Sequence, residues 1–152
     1  MMNRLAGILL LCSLLQLPSF AFADDIIMTR SVLAFPEAML ALQESIREHG
    51  YTVSRVQRID VGLTGMGYKT DKYRVVFAGK LDEIQYLTEN APALTAYLPP
   101  KISIFAEGGQ TVLVTINPLL YGEIAGGDVD PIIFTHWESD LRSIFRDVND
   151  AR

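Results

Sequence analysis

Apolar and polar positions change period several times along this chain, and the changes mark out its elements. Ile26 to Val32 is short and rich in apolar and β-favouring side chains, which predicts a first strand. Pro36 and Glu37 suit the first turn of a helix: proline's missing N–H costs nothing there, and an acid faces the positive end of the dipole. Met39, Leu42 and Ile46 then share one helical face, and Gly50, free to take positive φ, ends the helix just after His49. A strand is predicted over Tyr51 to Ile59, a loop around Gly62, Gly65 and Gly67, and a third strand over Lys72 to Ala78. Leu81, Ile84 and Leu87 form the stripe of a short helix that Pro92 must stop.

The clearest local signal follows. Lys101 to Ala106 and Thr111 to Ile116 flank Glu107-Gly108-Gly109-Gln110, and two glycines between β-rich runs predict a tight hairpin. Ile102 and Ile104 alternate with Ser103, and Val112, Val114 and Ile116 alternate with Thr111 and Thr115, so one face of the hairpin should be buried. Asn117-Pro118 ends the second strand, and Gly126-Gly127 opens a loop before Pro131. From Ile133, the residues Trp137, Leu141, Ile144, Phe145 and Val148 repeat at three and four, giving a long amphipathic final helix. The predicted order is β-α-β-β-α-β-β-α, an α+β fold with helices packed on an antiparallel-rich sheet. The pattern contains no internal repeat and no low-complexity linker.

The N-terminus changes the picture of where such a domain works. Arg4 precedes an apolar run from Leu5 to Leu17, Pro18 breaks it, and Ala21-Phe22-Ala23 offers the small-x-small pattern of a signal peptidase site. Residues 1–23 are thus predicted to be a signal peptide and 24–152 a single exported domain, with a bacterial periplasm as the expected compartment. The apolar run is about a dozen residues where a spanning helix needs about twenty, so an anchor is disfavoured and no membrane span is expected after signal removal. Cys12 lies inside that run after Leu11, so the exported part carries no cysteine. Thiol chemistry, disulfides and cysteine metal sites go with it.

Removing the leader takes Arg4, leaving 12 basic against 18 acidic residues, a net charge of −6. Nucleic acid is disfavoured as a partner, because phosphate binding needs a concentrated basic face. The charge is nonetheless uneven. Residues 55–80 carry Arg55, Arg58, Lys69, Lys72, Arg74 and Lys80 against Asp60 and Asp71, while residues 123–150 are mostly acidic. By alternation along the third strand, Lys72, Arg74 and Val76 are expected on one face, away from a core face made by Tyr73, Val75 and Phe77. Tyr68, Lys69, Lys72 and Arg74 then form the candidate surface for an anionic small molecule or an acidic protein.

Candidate chemistry is thin. No Gly-x-Ser-x-Gly is present, and His49 and His136 are the only imidazoles. His49 in the last helical turn reads as a helix-end cation. His136 and Asp140 are spaced to touch across one turn, which alone is a surface pair more often than a metal site. Met28 and Met39 read as core, and Gly62 to Lys69 does not complete a phosphate loop. No catalytic residue, metal or cofactor is assigned. A binding or interaction module of unknown ligand is the expected function; the alternative is a small periplasmic hydrolase using carboxylates such as Asp60 or Asp71.

The strand Tyr73 to Ala78, the short helix after it, the Tyr97-Leu98-Pro99-Pro100 corner and the strand-glycine-strand run Ile102 to Ile116 resemble the domain of unknown function family DUF302. The resemblance covers about residues 57–118. It implies a small α+β domain that tends to pair as a homodimer, and it carries no catalytic residue over to this sequence.

Overall fold

The computed structural model describes residues 25–151; the predicted signal peptide lies outside them. Five strands form one antiparallel sheet in the order β1-β5-β4-β3-β2. They are β1 (Ile26–Ser31), β2 (Thr52–Arg58), β3 (Tyr73–Gly79), β4 (Lys101–Glu107) and β5 (Gln110–Ile116). Among the described residues five α-helices accompany them: α1 (Phe35–Glu48), α2 (Ile59–Gly65), α3 (Leu81–Asn90), α4 (Leu119–Ala125) and α5 (Ile132–Asp150), with a 3-10 turn at Pro92–Ala96. The predicted strands and long helices are all present, and the α+β architecture holds.

Two short helices stand where the sequence predicted connection. Of the three glycines read as a loop, Gly62 and Gly65 lie inside α2 with ordinary backbone angles, and only Gly67 takes positive φ, at 89°. That freedom ends the helix: the Tyr68 N–H turns back to donate to the Leu63 carbonyl at 3.0 Å. The other, α4, ends on Gly126 in the left-handed conformation, φ 67°. At the β4–β5 hairpin, Gly108 and Gly109 both have positive φ, 58° and 81°, the arrangement a two-residue turn needs to match strand twist.

Helices α1 and α5 cover one face of the sheet. Ala38, Leu42 and Ile46 from α1 and Phe134, Trp137, Leu141, Ile144, Phe145 and Val148 from α5 meet Ile27, Val76, Ala78, Ile102, Ile104 and Leu113 from the strands. The register pairs Val76 with Ile102 and Ile104 with Leu113, so the core face of β3 is the one bearing Arg74, Val76 and Ala78. This reverses the expected facing of β3. Tyr73, Val75 and Phe77 stand on the opposite face, and all three are half-buried. The reversal has a physical cause at the strand's start: Lys72 and Arg74 lie on the core side but beyond its edge, with their charges 5.9 and 5.7 Å from the centre of the Phe35 ring. The exposed Lys72 stem reaches past the apolar rim to water and the Arg74 guanidinium finds Asp60 there, so their charge is a poor guide to which side is buried.

A bare sheet face and the candidate functional site

No helix among the described residues packs on the second face of the sheet. Edge strand β1 and the end of β5 are open on this face, with Ile26 55%, Met28 59% and Ile116 44% exposed. Toward the middle stand Val114, Phe105, Tyr73, Val75 and Phe77, all half-buried by their strand neighbours; the Tyr73 and Phe105 rings meet edge to face at 5.9 Å. Val112, opposite both Phe105 and Arg30, is fully covered yet stands apart from the main core. Charge is confined to the border of this face, where Arg30 pairs with Glu107 and where Arg55 and Lys101 are exposed. An apolar centre with a charged border is the anatomy of a recognition surface more than of a solvated sheet, whose outer face would alternate polar residues.

At one end of this face, where β1 and β4 begin and β5 ends, a cleft of about 220 Å³ opens. Ile26, Val114 and Ile116 supply apolar walls, and Lys101, Ser103, Thr115, Tyr97 and Tyr121 supply polar groups. Tyr121 comes from α4 and is only 3% exposed. Its ring packs against Phe134 and Trp137 at 6.4 Å and against Tyr97 at 6.2 Å. Burial pushes the Tyr121 phenol above its ordinary pKa, so it stays protonated and able to donate. Sequence reasoning missed this group because Tyr97, Lys101 and Tyr121 belong to three different elements and share no motif.

The sequence-predicted residues lie elsewhere. Tyr68, 61% exposed, and Lys69, also exposed, follow α2, and Lys72 lines an open basin with Asp60, Thr64 and Asp71. Arg74 is already engaged by groups of its own chain. Its guanidinium donates to Asp60 and to the Tyr73 carbonyl, and only 15% of its side chain is exposed against 14% for Asp60. The structure thus joins Lys72 with Arg74 on Phe35, while Tyr68 and Lys69 stand exposed in the segment after α2. The hydrogen bond from Arg74 holds the Asp60 carboxyl below its usual range, helped by the Val61 N–H at 2.9 Å. The folded pKa is depressed, so the stability this carboxylate adds is complete above its unfolded value of about 4 and is lost as pH falls through the lower folded value. Thermal unfolding of Asp60→Asn against the parent should show a deficit at pH 6 that narrows as pH falls below the usual carboxylate range. A deficit unchanged over that range would mean the ion pair contributes nothing.

Two further polar clusters are structural in geometry. Asp140 on α5 accepts from the Tyr51 hydroxyl at 2.9 Å and from Lys80 Nζ at 3.1 Å, and that ammonium lies 4.7 Å over the Tyr51 ring. These partners replace the expected His136–Asp140 contact, and His136 is exposed. Ser45, His49 and Asp147 bring a serine, a histidine and a carboxylate together, but the Ser45 hydroxyl donates to Asp147 at 2.6 Å while His49 Nδ1 sits 2.9 Å from the Ser45 carbonyl. A nucleophile needs its hydroxyl on the imidazole and open to substrate, and Ser45 is 3% exposed. This set ties α1 to α5. Among the described residues no group of three or more His, Cys, Asp or Glu is placed to hold a metal ion, and no helix is long and apolar enough to cross a membrane.

Comparison with known proteins agrees with this architecture. No curated protein sequence matches the chain. A solved relative, described as the crystal structure of an uncharacterised conserved DUF302 protein from Bacillus stearothermophilus, is 17% identical, with a TM-score of 0.68 over 86% of this chain and 100% of that one. At that identity the likeness establishes the fold. The sequence model of the same family matches residues 27–145, from β1 through most of α5 and well beyond the 57–118 core that first suggested it. The chain therefore belongs to the family defined as domain of unknown function DUF302.

Proposed function

We propose that the protein is an exported binding module that works as a homodimer, two copies laying their bare sheet faces together. The observation that carries this reading is the bare face itself: apolar at its centre, charged only at its border, and covered by no helix among the described residues. Five strands about 4.8 Å apart and six residues of about 3.3 Å each make a face of roughly 480 Å² per subunit. Two such faces together reach the ~1,000 Å² at which specific pairing begins. A two-fold axis suits it, because one self-complementary patch closes the assembly and leaves no apolar surface to propagate. Of the carboxylates named for the hydrolytic alternative, Asp60 is held ionised by Arg74, which unsuits it as a general acid near neutral pH.

Light scattering of the purified protein at tens of micromolar is expected to give twice the chain mass. A strict monomer over that range would overturn the pairing. Export is tested separately by intact mass of the protein recovered from expressing cells. A chain starting at Asp24 is expected, and one retaining residues 1–23 would contradict it.

A further inference from the structure

Tyr121 poses a question that pairing does not answer. It is 3% exposed, its hydroxyl has no hydrogen-bond partner among the described residues, and no buried side-chain polar atom among them goes unpaired. The hydroxyl is therefore the part of the residue that reaches the open, and the space it reaches is the cleft. A phenol so deeply buried at a wet, unpaired tip is a donor waiting for an acceptor, since packing alone would be served as well by phenylalanine.

The rest of the cleft says what that acceptor is. Lys101 brings an exposed ammonium, which can only donate, and no carboxylate lies within ion-pair reach of it among the described residues. No acidic side chain lines the cleft, so a cationic or purely donating ligand would find no counterpart. Ile26, Val114 and Ile116 on the walls favour an apolar body. At about 220 Å³ the space suits one ring with a short chain.

We infer that the cleft binds a small carboxylate with an apolar body, the acid group meeting the Tyr121 hydroxyl and the Lys101 ammonium. This adds a ligand class to the binding-module reading and rests on it, with the cleft at the rim of the paired faces, where Lys101 stays open to solvent. The recognition is charge-assisted at the acid end and hydrophobic at the other, so it should reject both the neutral and the cationic analogue of the same shape.

The test uses 3-phenylpropionate, 3-phenylpropanol and 3-phenylpropylamine as probes, followed by ligand-observed NMR and by emission of Trp137, the single tryptophan, whose ring touches Tyr121. The acid should bind saturably with Kd below about 1 mM, and the alcohol and amine at least about tenfold more weakly. Tyr121→Phe keeps the ring contacts and should weaken the acid about tenfold or more, while Lys101→Gln should weaken it severalfold and flatten its salt dependence. Equal binding of acid and alcohol, an unchanged Tyr121→Phe variant, or no saturation by the acid would overturn the inference. Light scattering on the same samples separates the two ideas. A dimer without acid binding removes the ligand and keeps the pairing, and a monomer that binds the acid does the reverse.

Discussion

The Val76→Lys variant is expected to be unfolded, whereas Val75→Lys, one residue away, is expected to be folded and monomeric. Val76 is fully buried in the core cluster, between its strand partners Val56 and Ile102. An ammonium there has no counter-charge and no water, a penalty on the order of 5 kcal/mol that rivals the whole stability of a small domain. Val75 pairs with Gln57 and Ser103 on the bare face, where a lysine can reach solvent at a cost of about 1 kcal/mol or less. In a two-fold pair, however, it places like charges in a desolvated interface and should weaken association more than about 100-fold. Far-UV circular dichroism and light scattering read both outcomes. If Val75→Lys unfolds while Val76→Lys folds, the facing of the sheet is wrong; if Val75→Lys folds and still pairs as before, the bare face is not the interface.

Trp137→Ala should cost about 4 kcal/mol, the second largest single effect. Trp137 is fully buried, meets Phe134 at 6.1 Å and 89° and Tyr121 at 6.4 Å and 84°, and donates its indole N–H to Glu83 at 2.5 Å. Alanine removes the centre of an aromatic cluster that joins α4 to α5 and leaves Glu83 without that partner. Trp137→Phe keeps most of the packing and should lose roughly half as much. Urea unfolding followed by circular dichroism measures both. A loss under about 1 kcal/mol for alanine would show that the cluster can collapse and is not a keystone of the core.

How much of this was legible depended on whether the signal was local. The double glycine placed β4 and β5, but the alternation misjudged the facing of β5: Val112, Val114 and Ile116 stand on the bare face, and Thr111, Leu113 and Thr115 turn inward opposite Ile104 and its neighbours. The three-and-four spacing placed α5 and five of its buried positions, Trp137, Leu141, Ile144, Phe145 and Val148, while it took half-buried Ile133 in place of buried Phe134. The facing of β3 was not legible, because Tyr73 to Ala78 is mostly apolar on both sides and its polar cue, Lys72 and Arg74, comes from side chains long enough to reach water or an ion-pair partner at the core edge. Helix α2 was hidden by glycines that need no special backbone angle: nothing lies within 4 Å of a Cβ at Gly62 or Gly65, so composition alone could not say whether they break a helix. In α4, by contrast, Gly122 answers a packing need, since a Cβ there would stand 3.2 Å from the Phe134 ring. The candidate basic surface was partly visible as charge, but the Asp60–Arg74 pair depends on a 14-residue separation folded by α2 and β3. The cleft depended on contacts no single segment encodes.

Methionine oxidation tests the central claim, that a second copy covers the bare face. Residues 24–152 contain three methionines: Met28 on that face, 59% exposed, Met66 after α2, 74% exposed, and Met39 packed against the core. Hydrogen peroxide attacks a thioether as fast as it can reach it, so peptide mass spectrometry across a dilution series reports cover at each site. Met28 should be protected at tens of micromolar and become as reactive as Met66 on dilution, while Met66 stays unchanged throughout. Equal oxidation of Met28 and Met66 at every concentration would contradict the account.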